Sequence, residues 1–249
     1  MLARIKRFLK RWPGLYRPLQ HLWYKMREYV ETHIFGTLVQ EWIWRTRHLY
    51  KGKRWAQDYR ESVNHPHRQL LMERISTYEP FKSILEIGCN TGPNLYLLSK
   101  KYPDAKLSGI DINACAIHEG KQWFAEEGIE NVDLSVLKAD ELDRFSDKSI
   151  DVTFTDATLL YIGPDKIKKI LANLARITRK ALVLNEWHTD KNNLNYKEDS
   201  YYEGHWVYNY LDLLRDTIDD PRIIIRKIPK ELWGGSGWEE FGAIIEVKL

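Results

Sequence analysis

Only two cysteines, Cys89 and Cys115, occur in 249 residues. That number excludes a disulfide framework and a cysteine-built metal site, and it fits a reducing cytoplasm. Cys89 reads as a small turn-lining residue rather than a nucleophile. No run approaches the roughly 18 apolar residues of a membrane-spanning helix. The N-terminus is basic but has neither a long apolar core nor a small-residue cleavage site, so a secretory signal is not expected. No H-x-x-x-H or comparable spacing is present, so no metal is expected. Internal repeats and low-complexity tracts are missing as well.

What is there describes an ordinary globule, 43% hydrophobic and 29% charged, long enough for one large α/β domain plus an extension. The net charge of +3 hides an asymmetry. Residues 1–60 hold 14 Lys/Arg against 4 Asp/Glu, and the remainder holds 24 against 31. Trp12, Trp23, Trp42, Trp44 and Trp55 put half of the ten tryptophans in that first quarter.

The most informative stretch runs from Ser83 to Leu98. An apolar run ends in Glu86, passes through a turn containing Gly88 and Gly92, and becomes helical. Glycines there let the backbone approach a ligand, and the following helix points free N–H groups at the same spot. A second apolar run, Lys106 to Ile110, ends in Asp111, where an acid can hold a ribose diol. The spacing is Glu86-x-Gly88-x-Asn90-x-Gly92 and lacks the third glycine of G-x-G-x-x-G. An acid ahead of the turn repels a pyrophosphate but favours an ammonium or sulfonium.

This stretch resembles motif I of the class I S-adenosylmethionine (SAM) methyltransferases, with Asn90 in place of the usual middle glycine. Asn tolerates left-handed backbone better than most residues. Leu107 to Asn113 resembles that family's second-strand end, with Asp111 and Ile112 at the ribose. Leu134 to Asp140 resembles the third strand with Asp140 near adenine, and Phe145 to Asp156 the entry to the fourth strand. The resemblance implies SAM as cofactor and Glu86, Gly88, Asn90, Gly92, Asp111, Ile112, Asp140 and Asp156 as its binding residues, with Glu86 and Gly88 at the methionine end. It also implies a Rossmann-like, doubly wound sheet of seven strands, mostly parallel with an antiparallel last strand. A narrower resemblance, carried by Gly88 to Leu95, Phe154 to Asp156, Ile162 to Lys166 and Glu186, is to small methylases of pseudaminic acid and related surface-sugar biosynthesis. A His often stands there where this chain has Tyr161, so the substrate does not carry over.

The order of elements after residue 64 alternates strands and helices, which specifies a parallel sheet with ligands at the strand carboxyl ends. Acceptor-side residues then follow the fourth and fifth strands. Glu186 and His188 are the expected catalytic pair, with Tyr161 beside them; Tyr201, His205 and Trp206 lie on the next connection.

Residues 1–63 are expected to be a helical extension or lid and residues 64–249 the catalytic domain. Met1, Leu2, Ile5, Phe8, Leu9 and Trp12 fall on one helical arc opposite Arg4, Lys6, Arg7, Lys10 and Arg11. That pattern suits an anionic bilayer surface, or docking on the chain's own domain or on a twin subunit as a homodimer; nucleic acid is disfavoured because the rest of the chain is acidic. Expected overall is a cytoplasmic SAM-dependent methyltransferase, peripheral on the membrane face if the extension binds lipid, acting at oxygen or nitrogen of a small or glycan/lipid-linked acceptor. The alternative is a non-catalytic SAM-binding or scaffold subunit whose extension binds a partner or membrane.

Overall fold

The computed structural model describes residues 13–52, 54–190 and 201–249; the amphipathic segment expected over residues 1–12 lies outside them. Four helices come first: α1 (Pro13–His33), α2 (Leu38–Arg45), α3 (Arg47–Lys51) and α4 (Arg54–Glu61). Then follow α5 (Pro66–Ser76), β1 (Ser83–Ile87), α6 (Pro93–Lys101), β2 (Lys106–Asp111), α7 (Ala114–Glu126) and β3 (Val132–Val136). The second half holds β4 (Ile150–Asp156), α8 (Ile167–Ile177), β5 (Thr178–Trp187), a hairpin of β6 (Tyr201–Tyr202) and β7 (His205–Trp206), α9 (Tyr210–Arg215), β8 (Arg222–Lys227), α10 (Ser236–Phe241) and β9 (Gly242–Lys248).

Seven strands form one sheet in the order β3-β2-β1-β4-β5-β9-β8. Strands β1 to β5 are mutually parallel, and β9 runs antiparallel to both β5 and β8. This is the sheet the alternation of elements predicts. The chain order reverses between β1 and β4, which opens a crevice beyond their carboxyl ends.

Local sequence explains the elements that frame this crevice. Gly92 sits at φ +84° with Pro93 immediately after it, so the turn closes and α6 starts with its φ already set. The Asn113 side chain caps α7 by accepting from the N–H groups of Cys115 and Ala116. Ile167, Ile170, Leu171, Leu174 and Ile177 recur at helical spacing and are fully buried. Each contributes about 1.5–3 kcal/mol of burial as an upper estimate. Strand period puts Leu182 and Leu184 in the core layer under α8, and Val183 in the opposite layer under α5 to α7.

Two elements depart from the sequence expectation. The sequence around Val207 to Asp216 reads as a helix, but the helix spans only Tyr210–Arg215, because Tyr208 is extended and bridges His188 while Asn209 caps the helix through Asp212 N–H. The β6–β7 hairpin was not expected. Its turn residues Glu203 and Gly204 both have positive φ, the requirement of the tight hairpin turn whose twist matches the strands.

Helices α1 to α4 lie across the crevice and are fastened at defined points. Thr37 donates its N–H and hydroxyl to the Asp165 carboxylate, and Gly163 N–H donates to the Thr37 hydroxyl. Asn113 Nδ2 donates to Trp44 O at 2.7 Å, and Trp55 and Ala56 pack on Ala116. Asp165→Ala removes the first of these clasps. Hydrogen exchange of residues 34–45 should accelerate in that variant, while the melting temperature of the sheet moves by less than about 4 °C.

Candidate functional site

A cavity of about 460 Å³ occupies the crevice, a volume in the range of small-molecule sites. One half is walled by Gly88 and Asn90 after β1, Asp111 and Ile112 after β2, and Leu137 to Asp140 after β3. The other half is walled by Asp156 to Thr158 after β4, Tyr161, Trp187 at the end of β5, His205 on the hairpin, and Trp233 and Trp238 before β9. Thr37, Gln40, Glu41, Trp44 and Tyr59 from the N-terminal helices close it from above.

In the first half, Asp111 is held by backbone: Oδ2 accepts from Asn90 N–H at 2.9 Å and Oδ1 from Asn113 N–H at 2.8 Å. Burial pushes its pKa up against those two donors. Its remaining lone pairs are free for a hydroxyl pair. Gly88, at φ +75°, would put a Cβ 2.2 Å from the Thr158 hydroxyl, so only glycine fits. Asn90 occupies φ +52° and its Oδ1 accepts from Thr91 N–H, which answers for the missing glycine. Gly92 does not line the cavity; its Cα packs against Phe124 and so lets α6 meet α7.

Asp156 is the densest polar node. Oδ2 accepts from His67 Nε2 at 3.0 Å, Arg68 at 3.0 Å and Asn94 Nδ2 at 2.9 Å, and Oδ1 accepts from Asn185 Nδ2 at 2.7 Å. Burial opposes its ionisation, but His67 and then Arg68 outweigh it and hold the carboxyl far below its usual range. Asn94 also donates to Glu86 Oε1 at 2.7 Å. Glu86 lies behind the wall, fully buried, its Oε2 without a hydrogen-bond partner, and burial pushes its pKa up to about 8. A cation entering this region would ionise it.

The expected Glu186–His188 pair is corrected by the structure. Glu186 Oε1 accepts from the N–H groups of Thr158 and Leu159 and from the Thr155 hydroxyl, and Oε2 accepts from Leu160 N–H. Burial still raises its pKa to about 7. His188 bonds Asp190 and Tyr210 N–H. Neither lines the cavity; Glu186 shapes the loop after β4 and His188 anchors the start of α9. Asp140, expected near adenine, does line the wall, with its carboxylate clasped by Lys166 at 2.7 Å and by Lys138. Lys166 also bonds Glu41 of α2.

Tyr161 does reach the cavity, edge-on to Trp44 at 4.7 Å and tilted against His205 at 5.1 Å. Burial raises its pKa, so the phenol stays protonated and acts as a donor. Burial, then Arg27, lowers His205 to about 4, which leaves a neutral imidazole against Trp187 at 4.7 Å, with a buried Nδ1 that no protein group satisfies. Trp55, Tyr59 and the run His65-Pro66-His67-Arg68 read from the sequence as a candidate lid, and Tyr59, His67 and Arg68 do line the cavity; Asn94, Asn185 and Trp238 have no role of their own in that reading. Asn94 and Asn185 carry the legible signal, as polar residues inside an otherwise apolar helix start and strand end.

Residues 84–181 match the family model described as a methyltransferase domain. That segment is a methyltransferase domain by this match. The malonyl-acyl-carrier-protein O-methyltransferase of Anoxybacillus flavithermus is 31% identical over 106 residues, 43% of this chain and 38% of that protein. The chain spans 24–38% of the length of the curated relatives it matches. The plantazolicin methyltransferase, crystallised with a triazolic desmethyl-plantazolicin analogue and S-adenosylhomocysteine, superposes with TM-score 0.61 at 12% identity over 85% of this chain and 96% of that one. The cyclase SpnF superposes with TM-score 0.57 at 18% identity over 73% of this chain and 78% of that one. Both share the fold.

The residues of the methyltransferase domain fit SAM. A backbone-held acid faces the cavity beside an apolar slot of Ile112, Leu137 and Ala139, Gly88 lines the same wall, and an unpartnered buried carboxyl oxygen lies behind it at Glu86.

Two expectations follow. Asp111→Ala should cost at least tenfold in S-adenosylhomocysteine affinity by calorimetry with an unchanged far-ultraviolet spectrum. Glu86 holds a proton in the fold up to about pH 8 that the unfolded chain loses near pH 4.3. Its contribution to stability therefore falls as pH rises through that window, at no more than about 1.4 kcal/mol per pH unit. Glu86→Gln should flatten that part of the stability-against-pH curve measured by denaturant unfolding.

Proposed function

We propose that the chain transfers the methyl group of SAM to an acceptor bound in the aromatic half of the cavity. The observation that carries this is continuity: one cavity joins the Gly88–Asp111 end to the Trp187–His205–Trp238 end. SAM, when bound, supplies an electrophilic methyl on a sulfonium. The residues proposed to hold it are Gly88, Asn90, Asp111 and Ile112, with Leu137 and Ala139 bordering the base and Glu86 offering compensating charge behind the wall. Asp156 is proposed as the rigid post of the site rather than a base, since its charge is already spent on four donors.

The protein contributes mainly by positioning, and orientation supplies up to roughly 7–11 kcal/mol of such a displacement. Where the acceptor is a hydroxyl or amine that must lose a proton, the neutral His205 imidazole at the aromatic end is placed to accept it, as a weak base, and Tyr161 is a donor that orients the acceptor. A positioned base adds about 10²–10⁴-fold. The walls of Trp187, Trp233 and Trp238 suit an acceptor with a flat or aliphatic body, of the small or glycan/lipid-linked class. Stacking supports such a wall: Trp233 lies 3.6 Å from Trp238 and 3.8 Å from His67 between ring centroids.

Production of S-adenosylhomocysteine, followed with pooled small and lipid-linked acceptors, tests this. The wild type should turn over, and His205→Ala should lose about 10²-fold in kcat while its SAM affinity stays within threefold. Cofactor binding with no turnover on any pool would overturn the proposal.

A further inference from the structure

Helix α1 is patterned inside out. On one arc, Leu19, Leu22, Trp23, Met26 and Tyr29 face solvent, 44% to 65% exposed. On the opposite arc, Gln20, Tyr24, Arg27 and Glu31 face the protein. Glu31 is buried and accepts from Arg27 at 2.6 Å, from Gln40 at 3.0 Å and from the Tyr201 hydroxyl at 3.0 Å. Gln40 also reaches Gly204 O on the hairpin. This polar lock fixes the roll of the helix. Turning the apolar arc inward would carry Glu31 and Arg27 out to water and leave the buried Gln40 amide and the Tyr201 hydroxyl without their acceptor.

The row does not stop with the helix. Ile34, Phe35, Leu38 and Trp42 continue it into α2. Among the described residues, 11 of the 13 exposed large hydrophobic side chains fall between residues 19 and 50. Single exposed apolar residues are normal, but a contiguous concentration marks an interaction surface.

Charge selects the occupant. Residues 13–60 contain nine Lys/Arg and four Asp/Glu. Three of those acids are already paired: Glu28 with Lys25, Glu31 with Arg27 and Glu41 with Lys166. A second copy would set this positive surface against itself. An anionic bilayer takes up both features, the apolar row in its acyl boundary and the Lys/Arg at its headgroups, with Trp23, Tyr29 and Trp42 of the type that settles at that depth. No described helix is long and apolar enough to cross a membrane, so the contact lies in the surface plane.

We infer that the exposed row of α1 and α2 is a docking surface for an anionic lipid bilayer. The same α2 closes the cavity through Gln40, Glu41 and Trp44 on its other side, so docking brings the cavity roof to the bilayer.

Flotation of the full chain with vesicles of phosphatidylglycerol and phosphatidylcholine tests it, alongside pure phosphatidylcholine vesicles. The wild type should float with the anionic vesicles, less with neutral ones, and less as salt rises. Leu22→Glu with Met26→Glu should lower partitioning at least tenfold, and Leu22→Phe with Met26→Leu should retain it. Residues 1–12 are present in all three proteins, so their contribution is common. Equal melting temperature and S-adenosylhomocysteine affinity establish that the Glu variant is folded. Failure of the wild type to bind, equal binding by the Glu variant, or a wild-type dimer that the variant splits without any lipid binding would each overturn the inference.

Discussion

One carboxylate ties the site together. Asp156 ends β4 at the point where the sheet reverses its strand order, and its four donors come from α5, α6 and β5. A buried, ionised acid is costly unless its partners are in place, so the ends of those elements must meet within hydrogen-bond distance whenever the chain is folded. That fixes Gly88 relative to Thr158 and the loop after β4 relative to Trp187. The two halves of the cavity therefore stand at a set separation before any ligand arrives, which is what an in-line transfer needs.

Around that post the carboxyl groups divide by their partners. Asp156 is held ionised by His67, Arg68 and two amide donors, Glu186 spends its oxygens on backbone N–H groups and the Thr155 hydroxyl, and Glu86 is pushed up to about 8 with one donor only. The neutral imidazole of His205 stands apart from all three, at the aromatic end. In the proposed reading, charge compensation thus sits beneath the cofactor half and a proton acceptor beside the acceptor half, so that binding and proton removal can be altered independently.

Much of this was legible in the residues. Motif spacing located the turn after β1 and Asp111, because glycine and acid requirements at such a turn are local. Alternating apolar runs located the strands. The Glu186–His188 pair was misread for a reason sequence cannot show: i and i+2 on a strand share a face, but the backbone N–H groups after β4 consume Glu186 before it can meet an acceptor. The pairing of His67 and of Asn185 with Asp156 escaped notice because the partner is 89 and 29 residues away. The inverted face of α1 was hidden for a related reason. Helical spacing shows that an apolar stripe exists, and only the Glu31–Arg27–Gln40–Tyr201 cluster shows which way it points.

The central claim is that the Gly88–Asp111 half and the N-terminal roof are walls of one ligand cavity. Hydrogen exchange of the full chain with and without saturating S-adenosylhomocysteine tests it most directly. Protection should rise at residues 88–92 and 111–113 and, in the same experiment, at residues 37–45 of the roof. Protection confined to segments away from the cavity, or a roof whose exchange is unchanged while the strand ends are protected, would contradict the account.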